Sequence, residues 1–395
     1  MKRVYLDHIA AAPLGPGVFE AMRPFLETDF GNPQSLHSDG QAAAEAVAAA
    51  RERVSSLIGA GPEEIVFTAS GTEANNLAIK GLAQAYRAKG NHLVVSAIEH
   101  ASVLNAVKNL ERSGFAATIV PVDRTGRVDP AEVGRALRKE TILVSVMTAN
   151  SEVGTIEPIT EIAREVKAKA PGVLVHTDAV AAMGHIPLDV KALGVDALSL
   201  SGNAFYGPKG SAALFVKKGT KLVPQIEGGI QEGGRRGGTE DVAGIVGLGE
   251  AARLAADAMS ERAARTGALR DRLIDGLPRL VDRVYLTGSP DNRLPYHASF
   301  CVEFVEGESM LLSLDFKGIA ASSFSACTSK SLKVSHVLLA MGLDHTLAQG
   351  SLIFSLIDGT TAADIDHVLD VFPPIIGRLR NMSPLYTEFL KETGR

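Results

Sequence analysis

Glu64-Ile-Val-Phe-Thr-Ala-Ser-Gly-Thr-Glu73 is the stretch on which the fold turns. Its first five residues form an apolar, partly β-branched run of strand type. From Thr72 the spacing changes to a helical period that continues to Ala88. Between the two lies a glycine turn with hydroxyl residues at a helix start. Free N–H groups and the positive end of the helix dipole can cradle a phosphate there, with Gly71 and Thr72 nearest to it. Taken alone, such hydroxyls are more often simple caps.

The same strand-then-helix order repeats outward from this stretch. Further strands are expected at Glu64–Thr68, His92–Ser96, Ala117–Pro121, Ile142–Met147, Val173–Thr177, Ala197–Ser201 and Ala212–Val216. Helical patterns lie at Gly40–Ile58, Thr72–Ala88, Ala101–Ser113, Pro130–Arg138 and Ile159–Ala168. Alternation of this kind predicts an α/β fold with a mainly parallel sheet and helices on both faces. The large domain is expected over residues 16–259. An Ala/Leu/Arg-rich run from Asp241 to Leu280 predicts one or two helices leaving it. Strand patterns at Val284–Thr287 and Ser299–Phe304 then predict a smaller α+β domain, made of residues 260–395 with the N-terminal segment 1–15. The Gly228–Gly238 stretch reads as a loop that a ligand or partner orders.

A chain of 395 residues, 46% hydrophobic, can bury a large core. Its formal net charge of −5 gives no reason to expect nucleic-acid or anionic-membrane binding. No apolar run approaches the ~18–20 residues that span a bilayer, and Met1-Lys-Arg-Val-Tyr5 enters a strand-like segment without an apolar signal region. The two cysteines, Cys301 and Cys327, make no disulfide framework, so a reducing cytoplasm is expected. No Cys/His cluster suggests a structural metal. Cys301, within Phe300-Cys-Val302, reads as a core residue.

Two more strand ends carry candidate chemistry. Asp178 closes Val175-His-Thr-Asp178, where an acid can pair with a pyridinium nitrogen or simply cap the next turn. His100 follows another strand, where an imidazole can stack on a flat ring or lie on the surface. Three such features at successive strand ends are placed where open α/β sheets bind ligands.

On these motifs and others the sequence resembles the cysteine desulfurases of the class V aminotransferase family, along nearly the whole chain. The matching stretches include Tyr5-Leu-Asp7, Phe30-Gly-Asn-Pro33, Ser35-Leu-His37, Gly71-Thr-Glu73, Glu99-His100, Asp178-Ala179, Tyr206-Gly-Pro-Lys-Gly210, Gly238-Thr239 and Ser325-Ala-Cys-Thr-Ser329. The resemblance implies the type I fold of pyridoxal-phosphate (PLP) transferases, with a mainly parallel seven-stranded sheet, and a homodimer. It implies Thr72 and Ser201 on the cofactor phosphate, with Thr239 reaching it from the neighbouring subunit. It implies His100 stacked on the ring, Asp178 at the ring nitrogen, Asn150 beside the ring hydroxyl, and Cys327 as the sulfur-accepting nucleophile.

The pattern breaks at four positions. Ser201-Gly-Asn-Ala-Phe-Tyr206 has Ala204 where the family has the lysine that bonds to the cofactor, and Asn203 where it has histidine. Ala181 stands in place of a glutamine, and Ile353 in place of the arginine that grips the substrate carboxylate. Lys209 matches a second family lysine and reads as structural. Ordinary cysteine desulfuration is therefore not expected. The leading expectation is non-covalent PLP, a related ring or no cofactor, with Cys327 handling sulfur or ligating an iron–sulfur cluster. A sulfur acceptor or iron–sulfur scaffold protein would be the partner. The alternatives are an active PLP enzyme with a compensated mechanism, and a non-catalytic subunit of a hetero-dimer.

Overall fold

The computed structural model describes residues 3–323 and 334–393. After a short β1 (Val4–Tyr5), the alternating region supplies β2 (Ile65–Thr68), β3 (His92–Ser96), β4 (Ala116–Val120), β5 (Thr141–Ser145), β6 (Leu174–Asp178), β7 (Ala197–Ser201) and β8 (Ala212–Val216). These seven form one sheet in the order β2-β8-β7-β6-β5-β3-β4. Only β8 runs against its neighbours, so the other six strands point the same way. Observed strand limits differ by one or two residues from the sequence reading, because apolar runs extend past the last ladder bond.

Burial explains the unbroken apolar runs. Every residue of β3, β5, β6, β7 and β8 is buried, as expected of strands covered on both faces. Side chains alternate between two cores. Val66, Leu93, Val95 and Leu214 pack under the helices Gly71–Tyr86 and Ala101–Arg112. Phe67, Val94, Val144 and Phe215 face the other side, with Val47 and Val54 of helix Ser38–Leu57 and Ile162 of helix Ile159–Lys169. The edge strand β4 is more exposed.

The Asp241–Leu280 pattern is a single helix, Val242–Leu280, of 39 residues. At Gly249 it approaches Ala50 so closely that a methyl group would overlap that backbone, and at Gly276 it meets Leu369 of helix Ala362–Asn381. It thus touches both the large sheet's helical layer and the C-terminal region. There β9 (Val284–Leu286), β10 (His297–Val302) and β12 (Ser351–Ser355) form an antiparallel sheet in the order β12-β10-β9. β11 (Ile319–Ala320) pairs in parallel with β1.

The Gly228–Gly238 loop is bonded to its own chain at two points. Glu232, in a left-handed conformation at φ 51°, receives two hydrogen bonds from Arg51 at 2.6 and 2.8 Å and one from the Phe67 N–H at 2.9 Å. Arg236 pairs with Glu73 at 2.9 Å. Among the described residues no helix is long and apolar enough to cross a membrane.

Candidate functional site

Five strands of the sheet, β2, β3, β5, β6 and β7, end on one edge, and the residues that follow them surround a cavity of about 320 Å³. Ser70, Gly71 and Thr72 border it after β2, His100 after β3, and Met147 after β5. Asp178 ends β6 there, with Val180 and Ala181 behind it, and Ser201, Asn203 and Ala204 come from β7 and the turn that follows. His8, Tyr296, Ser322 and Ser323 close it from outside the sheet.

The phosphate-type corner is built locally. Ser70 caps the helix Gly71–Tyr86, its Oγ accepting from the Glu73 N–H at 3.1 Å. Glu73 returns a carboxylate oxygen to the Ala69 N–H at 2.9 Å, a variant of the capping box. Residue 71 must be glycine for a packing reason: a Cβ there would lie 2.7 Å from Val180 Cγ2.

The acid floor is a buried network. Asp178 accepts from the Val180 N–H at 2.9 Å and from Asn75 Nδ2 at 2.6 Å. Burial pushes its carboxyl above the usual range, and these two donors offset part of that rise. Asn75 also donates to Ser102 Oγ at 2.8 Å, which lies 2.7 Å from His100 Nδ1. The Ser102 N–H donates to the same nitrogen at 3.2 Å, so Nδ1 is an acceptor and the His100 proton sits on Nε2. Asn75 Oδ1, buried beside the cavity, has no partner among the described residues.

Of the sequence-derived candidates, Gly71, Thr72, His100, Asp178 and Ser201 come together at this cavity. Ser201 Oγ donates to Asn203 Oδ1 at 2.6 Å. Asn150 is not a wall residue: its Nδ2 donates to Ile98 O, and its Oδ1 accepts from the Glu152 and Val153 N–H groups. Its amide is thus spent on shaping its own loop. Thr239 borders a separate cavity of about 100 Å³ with Arg236 and Ser211. Cys327 lies outside the described residues. Cys301 is fully buried in β10, and burial pushes its thiol up to about 12, which suits an inert core residue.

The departures from pattern also find their places. Ala204 and Ala181 line the cavity, and among the described residues no lysine does; Lys209 is exposed elsewhere. Ile353 is buried in β12, its backbone exchanging hydrogen bonds with Ser322 at 2.8 and 3.0 Å, and it does not reach the cavity. Sequence reasoning missed Asn75, His8 and Tyr296. Asn75 gave a faint signal, a polar residue on the buried face one turn after Thr72. His8 and Tyr296 gave none. Among the described residues no group of three His, Cys, Asp or Glu side chains is placed to hold a metal ion.

The family model "Aminotransferase class-V" matches residues 4–368. A protein named cysteine desulfurase IscS, from Dictyoglomus turgidum, is 49% identical over 98% of this chain and 98% of its own length. A solved NifS-like protein superposes with a TM-score of 0.90 at 36% identity, covering 95% of this chain and all of the other. The structure described as SspA in complex with cysteine superposes at 0.78 with 35% identity, covering 89% of this chain and 98% of its own.

Proposed function

Since the chain belongs to the class V aminotransferase family, among its cysteine desulfurases, we propose that it binds that family's cofactor, PLP, without a covalent bond to its own residues. The observation that carries this reading is the wall at residue 204. An alanine stands there, and no described residue around the cavity offers a lysine amine in its place.

The remaining residues fit a phosphorylated pyridine. The first-turn amides behind Ser70 suit a dianion, and Gly71 lets it approach. Asp178 sets a carboxyl where a ring nitrogen can share a proton. The exposed His100 ring is free to stack. When bound, PLP supplies an electron sink for bonds broken beside an amino group. This chain's part is to bind and orient: among the described residues no lysine amine stands at the 204 wall to move a proton, a contribution of ~10²–10⁴ in rate. Without an arginine at 353 it lacks a two-pronged carboxylate clamp.

Cys327 is the proposed sulfur-bearing or cluster-ligating residue. It follows Ser323, a wall residue, by four positions, and such a length of chain reaches at most about 14 Å. A cysteine-type amino thiol is the substrate class, a protein sulfur acceptor the partner, and a second copy of the chain, contributing Thr239, the completing subunit. The test is to load the protein with PLP, reduce with borohydride and weigh it. Cofactor that is retained on gel filtration, yet leaves no pyridoxyl group on the protein, is expected. A pyridoxyl-lysine would overturn the proposal.

A second reading is ordinary cysteine desulfurase activity, favoured by the 49% identity to a protein of that name over nearly its full length. Stoichiometric alanine and sulfide from L-cysteine, sustained over many turnovers, would decide for it. Their absence from PLP-loaded protein would decide against it.

A further inference from the structure

Among the described residues, the cavity wall carries neither lysine nor arginine. His8, on that wall, adds no charge. Its Nε2 and that of His185 behind it both donate to Ala204 O, at 2.8 and 2.9 Å. Burial pushes His8 down to about 4 and His185 well below its ordinary value, so both imidazoles are neutral at pH 7. A phosphate dianion at the Ser70–Thr72 corner meets the positive end of the helix Gly71–Tyr86. In that same first turn, one residue past Thr72, it also meets the acid Glu73.

Glu73 is fixed at this corner. Its Oε2 accepts from the Ala69 N–H at 2.9 Å while its own N–H donates to Ser70 Oγ at 3.1 Å, so the cap folds the carboxylate back over the helix start. The other oxygen, Oε1, accepts from Arg236 Nε at 2.9 Å. Arg236 belongs to the Gly228–Gly238 loop and borders the second cavity together with Ala69 and Thr239. Ala69, Glu73 and Arg236 therefore lie between the cofactor cavity and that second one. Both partners of the pair are largely out of water, with 19% of the Glu73 side chain and 22% of the Arg236 side chain exposed. Charge in such a place acts over a turn of helix with less screening than on the open surface.

We propose that Arg236 is a positioning residue of the cofactor site: it neutralises the Glu73 carboxylate, and so lets the helix start accept a phosphate dianion instead of repelling it. The inference rests on the reading that a phosphorylated pyridine binds here. Arg236 touches no part of the ligand and acts through Glu73. The acid is needed to cap the helix, yet its charge has the same sign as the phosphate. The guanidinium leaves the cap in place and removes the repulsion. The effect is therefore specific to the phosphate and does not extend to the ring.

The experiment is a calorimetric titration of cofactor-free protein with pyridoxamine phosphate and, separately, with pyridoxamine. The two differ only in the phosphate, and neither has an aldehyde to react with surface lysines. Arg236→Gln should weaken pyridoxamine phosphate roughly tenfold, the scale of one charge acting on a dianion, and leave pyridoxamine within roughly twofold. That loss should shrink as salt is raised. Arg236→Lys should keep most of the affinity, and adding Glu73→Gln to Arg236→Gln should recover most of what was lost. Glu73→Gln alone keeps an oxygen to accept from the Ala69 N–H and should tighten pyridoxamine phosphate severalfold. Equal losses for the two ligands in Arg236→Gln would make the residue merely structural and overturn the inference, as would unchanged binding of both or no recovery in the double variant. If Arg236→Gln fails to fold, Glu73→Gln decides alone, and an unchanged or weaker affinity for pyridoxamine phosphate overturns the inference. Binding of neither ligand by the unmodified protein would overturn the cofactor reading itself, and this inference with it.

Discussion

A methyl group on residue 71 would stand 2.7 Å from Val180 Cγ2 and 3.5 Å from Ser201 Cβ. Val180 is β-branched and stiff at χ1, so the strain would fall on the turn that carries Thr72. Gly71→Ala should therefore weaken PLP binding roughly tenfold or more, and adding Val180→Ala should recover part of the loss. Fluorescence titration of both variants checks this, and an undiminished affinity in Gly71→Ala would remove the helix start from the site. Glu99 raises a different question. It is fully buried, accepts from Ser96 Oγ at 2.6 Å and the Met147 N–H at 2.8 Å, and leaves Oε2 without a partner. Burial pushes it up to about 8. A folded value above the unfolded one means the neutral acid is favoured in the fold. That stability is fully present below the unfolded value near 4.3 and is lost as pH rises through 8. Glu99→Gln should gain on the unmodified protein between pH 5 and pH 9, by on the order of 4 kcal/mol. Denaturant melts at the two pH values measure it, and a difference that does not change with pH would count against a protonated Glu99.

At the scale of elements, the contact between the Gly228–Gly238 loop and the helix Ser38–Leu57 is an ion pair. Glu232 has 3% of its side chain exposed and Arg51 19%, and Arg51 also lies over the Phe67 ring at 4.5 Å. Glu232→Gln would leave a largely buried guanidinium unpaired, at a cost of about 2–3 kcal/mol once its partial exposure is allowed for. Urea denaturation should show that loss, and a loss below about 0.5 kcal/mol would mean that solvent already screens the pair. The loop's glycines announce a loop in the sequence, but its anchor does not show there, because Arg51 lies 181 residues away. Helices and strands were legible for the opposite reason. Periods of two and 3.6 residues are local, as is the Ser70–Glu73 cap. The two-residue β1 and β11 are too short to carry a period, and β12 (Ser351–Ser355) reads as an apolar run of either type.

For the molecule as a whole, restoring the missing amine is the sharpest intervention. Ala204→Lys places an amine on the cavity wall, beside two neutral imidazoles that do not compete with it in charge. It should fix PLP covalently at residue 204, seen as a pyridoxyl-lysine after borohydride. Sulfide release from L-cysteine should remain low, since Ile353 stays buried away from the cavity and leaves the carboxylate unclamped. Strong turnover from Ala204→Lys alone would show that carboxylate binding does not depend on residue 353.

The sequence by itself determined the α/β alternation, the phosphate-type turn at Gly71–Thr72, the strand-end positions of His100 and Asp178, and the alanine at 204. Each depends on a local period, a short motif, or the rule that ligands meet open sheets at strand carboxyl ends. Only the tertiary structure decided how those residues are completed. Asn75 reaches Asp178 across 103 residues of chain, and His8 reaches the Ala204 carbonyl across 196. It also turned Asn150 into its own loop, set Ile353 behind Ser322, and left one nitrogen of His8 without a donor. The physical reason is that hydrogen bonding and burial act through space. The strand order β2-β8-β7-β6-β5-β3-β4 and the packing of the N-terminal segment against β12 and the 204 turn create neighbours that no spacing along the chain encodes.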